Sequence, residues 1–188
     1  MEFTSTPLAG AYVIEQQQIP DDRGFFARAF CAREFEDHGL QPAVAQMNLS
    51  FNHKAGTLRG LHYQRAPATE AKCIRCLKGA IYDVIVDMRE DSPTYLQHFG
   101  IELSAENRLA LYVPDMFAHA YLTLTDGAEA LYSVSEFYTP GVEAGLRYDD
   151  PALGITWPQE IAVISEKDRS WPLLGERPQG SATVIDSP

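Results

Sequence analysis

Apolar and polar positions alternate in short runs along most of this chain, and the runs are too short and too β-branched for helices. From residue 57 onward they cover Thr57–Gln64, Cys73–Leu77, Ala80–Met88, His98–Leu103, Leu109–Val113, Ala120–Leu124 and Ala130–Phe137. Each is rich in β-branched, aliphatic or aromatic residues that suit a pleated, half-buried surface. Turn-forming clusters separate several of them: Lys78-Gly79, Asp91-Ser92-Pro93, Pro114-Asp115 and Asp126-Gly127. Strands at a spacing of roughly ten residues predict an all-β sandwich or small barrel.

Upstream, Ala11–Glu15 reads as another short strand and Pro20–Gly24 as a turn. Phe25–Phe30 is apolar and aromatic with Arg28 inside it. Ala32–Asp37 (AREFED) is the one good helical run, and Gly39 stands where a left-handed residue ends a helix. No segment approaches the roughly eighteen consecutive apolar residues of a membrane span. The start, Met1-Glu2-Phe3-Thr4-Ser5, has no basic region and no apolar run, so no signal peptide is expected.

Composition changes the picture in three ways. The 188 residues, 45% apolar and 22% charged, exclude a disordered or coiled-coil chain and can bury a core without disulfides. They form one domain over residues 1–175, followed by a polar tail, 176–188, expected to be poorly ordered. The net charge of −11 argues against nucleic acid as a partner, and a small anion would need a local cluster of Arg and Lys. Three cysteines, Cys31, Cys73 and Cys76, make no even framework and fit a reducing cytoplasm.

Cys73 and Cys76 form a CxxC, but in a strand positions three apart face opposite ways, and no second pair completes a zinc site. Among the histidines, His38, His53 and His98 have no suggestive company, whereas His62 sits in Gly56-Thr57-Leu58-Arg59-Gly60-Leu61-His62-Tyr63-Gln64. Strict alternation puts Leu58, Gly60, His62 and Gln64 on one face and Arg59, Leu61 and Tyr63 on the other. Inside a barrel the first face would aim His62 into a pocket, with Gly60 leaving room for a ligand. Gly56 and His62 also match part of a cupin metal signature, as do Pro114 and His119. Gln64 occupies the second His position, so a ligand is missing.

Arg59-Gly60-Leu61-His62-Tyr63-Gln64, Asp83-Val84-Ile85-Val86-Asp87-Met88-Arg89, Ser92-Pro93-Thr94, Phe117-Ala118-His119, Asp149-Asp150-Pro151, Ile155-Thr156-Trp157-Pro158 and Ser165-Glu166-Lys167-Asp168 closely resemble the dTDP-4-dehydrorhamnose 3,5-epimerases. The likeness runs from about residue 3 to 174, nearly the whole chain. It implies a cupin-type jelly roll with a few short helices, a site that needs no metal or other cofactor, and a homodimer. The substrate it implies is a nucleotide-linked 4-keto-6-deoxyglucose. A C4 ketone acidifies the hydrogens at C3 and C5, so inversion needs a base, an acid on the opposite face and a cation or donor at the enolate oxygen.

By this resemblance His62 is the base, Asp168 orients its imidazole, Tyr132 is the acid and Lys72 the cation. Arg23, Arg59 and His119 match groups around the diphosphate and sugar. Phe26 matches a pocket wall, Gln46, Asn48, Glu143 and Lys167 match polar contacts, and Tyr138 matches an aromatic that stacks on the base. Two positions depart from the family. Arg28 replaces a glutamate that faces the nucleotide, and Asp115-Met116 replaces an acidic-glycine pair. Rival readings are a C3-only epimerase, an enzyme for GDP- or CDP-linked sugars, a metal-dependent cupin, and a non-catalytic sugar-nucleotide binder.

Overall fold

A computed structural model of the chain describes residues 1–176. The expectation of a poorly ordered tail lies outside those residues, apart from Glu176, which closes a short 3-10 turn over Leu174–Glu176.

Fourteen strands are described: β1 (Glu2–Ser5), β2 (Tyr12–Glu15), β3 (Gln18–Asp21), β4 (Gly24–Ala27), β5 (Gln46–Asn52), β6 (Thr57–Gln64), β7 (Lys72–Lys78), β8 (Ala80–Asp87), β9 (His98–Ser104), β10 (Ala110–Val113), β11 (Phe117–Thr123), β12 (Ala128–Val134), β13 (Glu143–Gly145) and β14 (Val163–Ile164). Two short helices join them, α1 (Ala32–Asp37) and α2 (Glu166–Arg169). One sheet runs β1-β2-β10-β7-β12-β5, the second β13-β6-β11-β8-β9 with β14 beside β6, and β3-β4 is a separate hairpin. This is the expected all-β jelly roll. The strands from β6 to β12 fall within a few residues of the sequence reading, and Gly39 at φ +70 leaves α1 as expected.

Three apolar clusters explain why the sheets stay together. Between them, Ile74 and Leu111 of the first sheet meet Ile81, Ile85, Leu103 and Phe117 of the second, all essentially without solvent contact. Burying each such side chain stabilises the fold by roughly 2 kcal/mol. The outer face of the second sheet, with Val84, Val86 and Ala118, is covered by Leu146, Leu153 and Trp157 of the C-terminal segment. The outer face of the first is partly covered by Phe35 of α1, against Ile14, Ala110 and Tyr112. Cys73 belongs to this outer cluster and Cys76 to the inner one, as opposite strand faces require; both are free thiols.

Strand β5 was not legible as a strand, because its pattern is inverted. Met47, Leu49 and Phe51 point outward and are exposed, while Asn48, Ser50 and Asn52 turn inward. The interior at this end is a cleft rather than a core, so the polar residues face in.

Strand β6 corrects the alternation argument. His119 of β11 pairs with His62, but Tyr121 pairs with Arg59, so β6 spends three residues where β11 spends two. That irregularity brings Arg59 and His62 to the same cleft, where strict alternation would separate them. Gly60 makes it feasible. Its φ is +117, and a Cβ there would sit 2.5 Å from the backbone oxygen of His119. Met116, which stands where the resemblance leads one to expect glycine, holds φ +57, a conformation that glycine adopts without strain.

Candidate active site

One cleft opens between the two sheets and has two connected lobes. The larger, of about 520 Å³, is lined by Arg59, His62, Lys72, His119, Tyr132, Lys167 and Asp168 among others. The smaller, of about 290 Å³, is lined by Gln46, Asn48, Tyr138 and Glu143 together with the same His62, Lys72 and Tyr132. Those three shared residues mark the junction. His62 comes from β6 in one sheet, while Lys72 and Tyr132 come from β7 and β12 in the other. The two walls therefore present an imidazole and a phenol from opposite sides.

His62 Nε2 lies 2.5 Å from Asp168 Oδ1. Burial alone would push the Asp168 carboxyl up. The hydrogen bond and charge of His62, the Gly60 N–H and Ser165 outweigh burial and hold it below the usual carboxylate range. A charged acceptor there keeps the proton on Nε2 and leaves the lone pair on Nδ1. Asp168 is delivered by α2, whose first turn is capped by Ser165: its side chain accepts from the Asp168 N–H at 3.1 Å.

His119 has a carboxylate of its own. Its Nε2 lies 2.9 and 3.1 Å from the two oxygens of Asp83, which is fully buried in β8. Burial pushes the Asp83 carboxyl up, and the charges of His119 and Lys72 oppose that rise. Lys72 Nζ lies 3.0 Å from Glu70 Oε1. Tyr132 carries a phenol pushed above its usual range, first by burial and then by Tyr121 and Glu70. Such a phenol stays protonated and remains a donor at neutral pH. Lys167 and Glu143 form an ion pair between the two lobes.

The structure thus brings eleven of the thirteen sequence-predicted residues to one cleft: His62, Tyr132, Asp168, Lys72, Gln46, Asn48, Arg59, His119, Tyr138, Glu143 and Lys167. Arg23 and Phe26 are not brought there by their own chain. They ride on the β3-β4 hairpin, where the Arg23 side chain is 89% exposed and paired with Asp21, and Phe26 is 67% exposed. Arg28 lies just beyond β4 and pairs with Glu34 at 2.8 Å. Gln64, at the cupin position for a second His, serves as a strut: its amide reaches Ala68, Glu70 and Phe137, and accepts from the Thr139 N–H.

The sequence reading missed Ser50, Asn52, Tyr121, Glu70 and Asp83 as site residues. Asn52 Oδ1 accepts from Arg59 Nε at 2.7 Å, and Ser50 shares a 2.7 Å bond with the Tyr121 hydroxyl. For Asp83 a signal existed, since a lone carboxylate in the otherwise apolar Ala80–Val86 run requires a buried partner.

Known proteins resemble this chain over nearly its whole length. The sequence model of the dTDP-4-dehydrorhamnose 3,5-epimerase family matches residues 5–176. A dTDP-4-dehydrorhamnose 3,5-epimerase of Methanothermobacter thermautotrophicus is 41% identical over 179 residues, covering 94% of this chain and 96% of that protein. The crystal structure of the Elizabethkingia anophelis dTDP-4-dehydrorhamnose 3,5-epimerase superimposes with a TM-score of 0.91 at 38% identity, over 94% of this chain and 98% of the other. A Legionella pneumophila 3,5-epimerase, solved in complex with dTDP-4-keto-L-rhamnose, gives a TM-score of 0.88 at 34% identity, over 99% of both chains. The chain belongs to the dTDP-4-dehydrorhamnose 3,5-epimerase family, whose members are isomerases.

Proposed function

We propose that this enzyme inverts C3 and C5 of dTDP-4-dehydro-6-deoxyglucose, giving dTDP-4-dehydrorhamnose. The observation that carries the proposal is the His62–Asp168 pair on one wall of a cleft whose other wall presents Tyr132 and Lys72. His62 removes the proton next to the ketone, and the electrons pass into the C4 carbonyl to form an enolate. Asp168 stabilises the resulting imidazolium. The ammonium of Lys72 meets the charge on the enolate oxygen. Tyr132 then returns a proton from the opposite face, which inverts the centre. The same base and acid serve both carbons.

Arg59 and His119 lie in the same lobe as His62 and supply hydrogen-bond donors for the diphosphate, that of Arg59 carrying a charge. Tyr138, half exposed at the smaller lobe, offers a flat surface for the thymine. No helix among the described residues is long and apolar enough to cross a membrane, and the three free cysteines suit a reducing cytoplasm as the place of action.

We infer a homodimer from the outer face of the first sheet. There Phe25, Phe30, Val44, Met47, Leu77 and Leu131 line an apolar trough of about 400 Å³ beside the exposed edge strand β5. Exposed apolar surface next to a free edge calls for a cover, and a second copy supplies it. The β3-β4 hairpin, whose Arg23 and Phe26 are exposed on their own chain, is then free to meet the second copy.

The test of the reaction is incubation with dTDP-, GDP- and CDP-4-keto-6-deoxyglucose in deuterium oxide, followed by NMR. Exchange at both C3 and C5 of the dTDP sugar is expected. Exchange at C3 alone would make the enzyme a monoepimerase, and no exchange with any sugar would sink the reading.

A further inference from the structure

Lys72 stands at the junction of the two lobes, and its surroundings are built around it. Its Nζ lies 3.0 Å from Glu70 Oε1, and it donates to the backbone oxygen of His62 at 3.4 Å. The other Glu70 oxygen, Oε2, accepts from Gln64 Nε2 at 3.2 Å. Gln64 is buried and is itself held by Ala68, Phe137 and Thr139. Both carboxylate oxygens of Glu70 therefore have partners, and turning the group away would take from the Lys72 ammonium its carboxylate neighbour. The side chains of Lys72 and Glu70 are only 10% and 12% exposed. Asp83 also senses the charge of Lys72, and His62, His119, Tyr132 and Glu143 line the same two lobes. Among the described residues, Glu70 is the one carboxylate in ion-pair contact with it.

We propose that Glu70 is a positioning residue for Lys72, keeping the ammonium charged and directed into the cleft. Burial penalises an ammonium and favours its neutral form, and an adjacent carboxylate reverses that penalty. Of the three N–H donors of Lys72, Glu70 and the His62 carbonyl take two, so the third is left for the ligand. In the epimerase reading, on which this proposal rests, that third donor meets the enolate oxygen. Glu70 touches no substrate atom in this scheme and acts through Lys72.

Glu70→Gln tests this, since it keeps shape and hydrogen-bonding capacity while deleting the charge. The first measurement needs no substrate: the rate at which acetic anhydride labels Lys72 in the intact protein at pH 8, read by peptide mass spectrometry. Labelling of Lys72 is expected to rise several-fold in Glu70→Gln and to return close to the native rate in Glu70→Asp, because only the neutral amine reacts. The second is the pH profile of hydrogen exchange from the dTDP sugar. The alkaline fall in kcat is expected at lower pH in Glu70→Gln, with kcat reduced about tenfold and KM changed less than about threefold. Unchanged labelling of Lys72 in Glu70→Gln would overturn the proposal whatever the activity. Labelling that rises while neither protein exchanges any sugar would leave the hold of Glu70 on Lys72 standing and overturn the epimerase reading instead.

Discussion

His62 and His119 are register partners on β6 and β11, yet each ring is tied to a different buried carboxylate, Asp168 for one and Asp83 for the other. The two rings are thus fixed independently. Asp168 is held low and charged, whereas burial pushes Asp83 up, so the two pairs differ electrically although their geometry is similar. Only the first pair has the character of a base backed by a firm anion.

His62→Ala is therefore expected to lower deuterium exchange by about a thousandfold or more, the upper range for loss of a positioned base. The substitution leaves the core clusters untouched, so the chain should still fold cooperatively, at some cost in thermal stability because the buried Asp168 loses its partner. Asp168→Asn keeps the shape but weakens support for the imidazolium, and exchange should fall about a hundredfold. Native-like exchange in His62→Ala would remove this residue from its role.

Tyr132→Phe separates the two halves of the reaction. The ring and its packing stay, the phenolic proton goes, and His62 can still remove a proton. Exchange should survive at a substantial fraction of the native rate while inverted product falls about a hundredfold. NMR of the sugar in deuterium oxide reads both quantities in one tube, and equal losses of the two would refute the division of labour.

Asp87 offers a stability test away from the cleft. Burial pushes its carboxyl up, but hydrogen bonds from Arg89, Ser92, Thr94 and the Arg89 backbone outweigh this and lower it from 3.8 to about 2. An acid held lower in the folded than in the unfolded chain stabilises the fold above the unfolded value and loses that contribution as pH falls. Here the loss amounts to about 2 kcal/mol between roughly pH 4 and pH 2. Thermal unfolding of the native chain and Asp87→Asn should show a gap at pH 7 that shrinks at pH 2. A gap independent of pH would mean the ionised form is not what stabilises.

Leu49→Arg addresses assembly. Leu49 is 61% exposed on edge strand β5, so a single chain tolerates the change at little cost. If this face binds a second copy, and the exposed Arg23 and Phe26 serve that copy's cleft, the variant should sediment as a monomer and lose activity. A variant that stays dimeric and fully active would move the interface elsewhere.

The central strands were legible because their interiors are plain: Ile74, Ile81, Ile85 and Leu111 fall at alternating, buried positions. What escaped was written in a different pattern. Strand β5 turns Asn48, Ser50 and Asn52 inward and Met47, Leu49 and Phe51 outward, so a reading that seeks apolar interiors passes over it. The shared cleft of Arg59 and His62 depends on a register slip that alternation cannot express. The resemblance brought in Asp168, Tyr132 and Lys72, which spacing alone would have left as a surface acid, a core aromatic and a solvated lysine. Glu70 and Asp83 were given no role by either argument: Asp83 takes its meaning from His119, 36 residues away, and Glu70 from Lys72 and Gln64, contacts that only the folded chain defines.

The order in which the chain is made gives the dyad a temporal meaning. Asp168 lies 106 residues beyond His62, on a helix that follows β14, the short strand running parallel to β6. A protein is synthesised from its N-terminus, and contacts this far apart form late. Every strand of both main sheets up to β13 precedes Asp168, so a barrel can close around His62 while the carboxylate has yet to emerge. An interrupted translation product ending before β14 would carry Tyr132 and Lys72 but lack Val163, Ile164, Ser165, Lys167 and Asp168 from the cleft wall, and with them the anion that in the proposed scheme supports the imidazole. In the proposed scheme, full turnover is thereby reserved for chains whose synthesis has passed this helix.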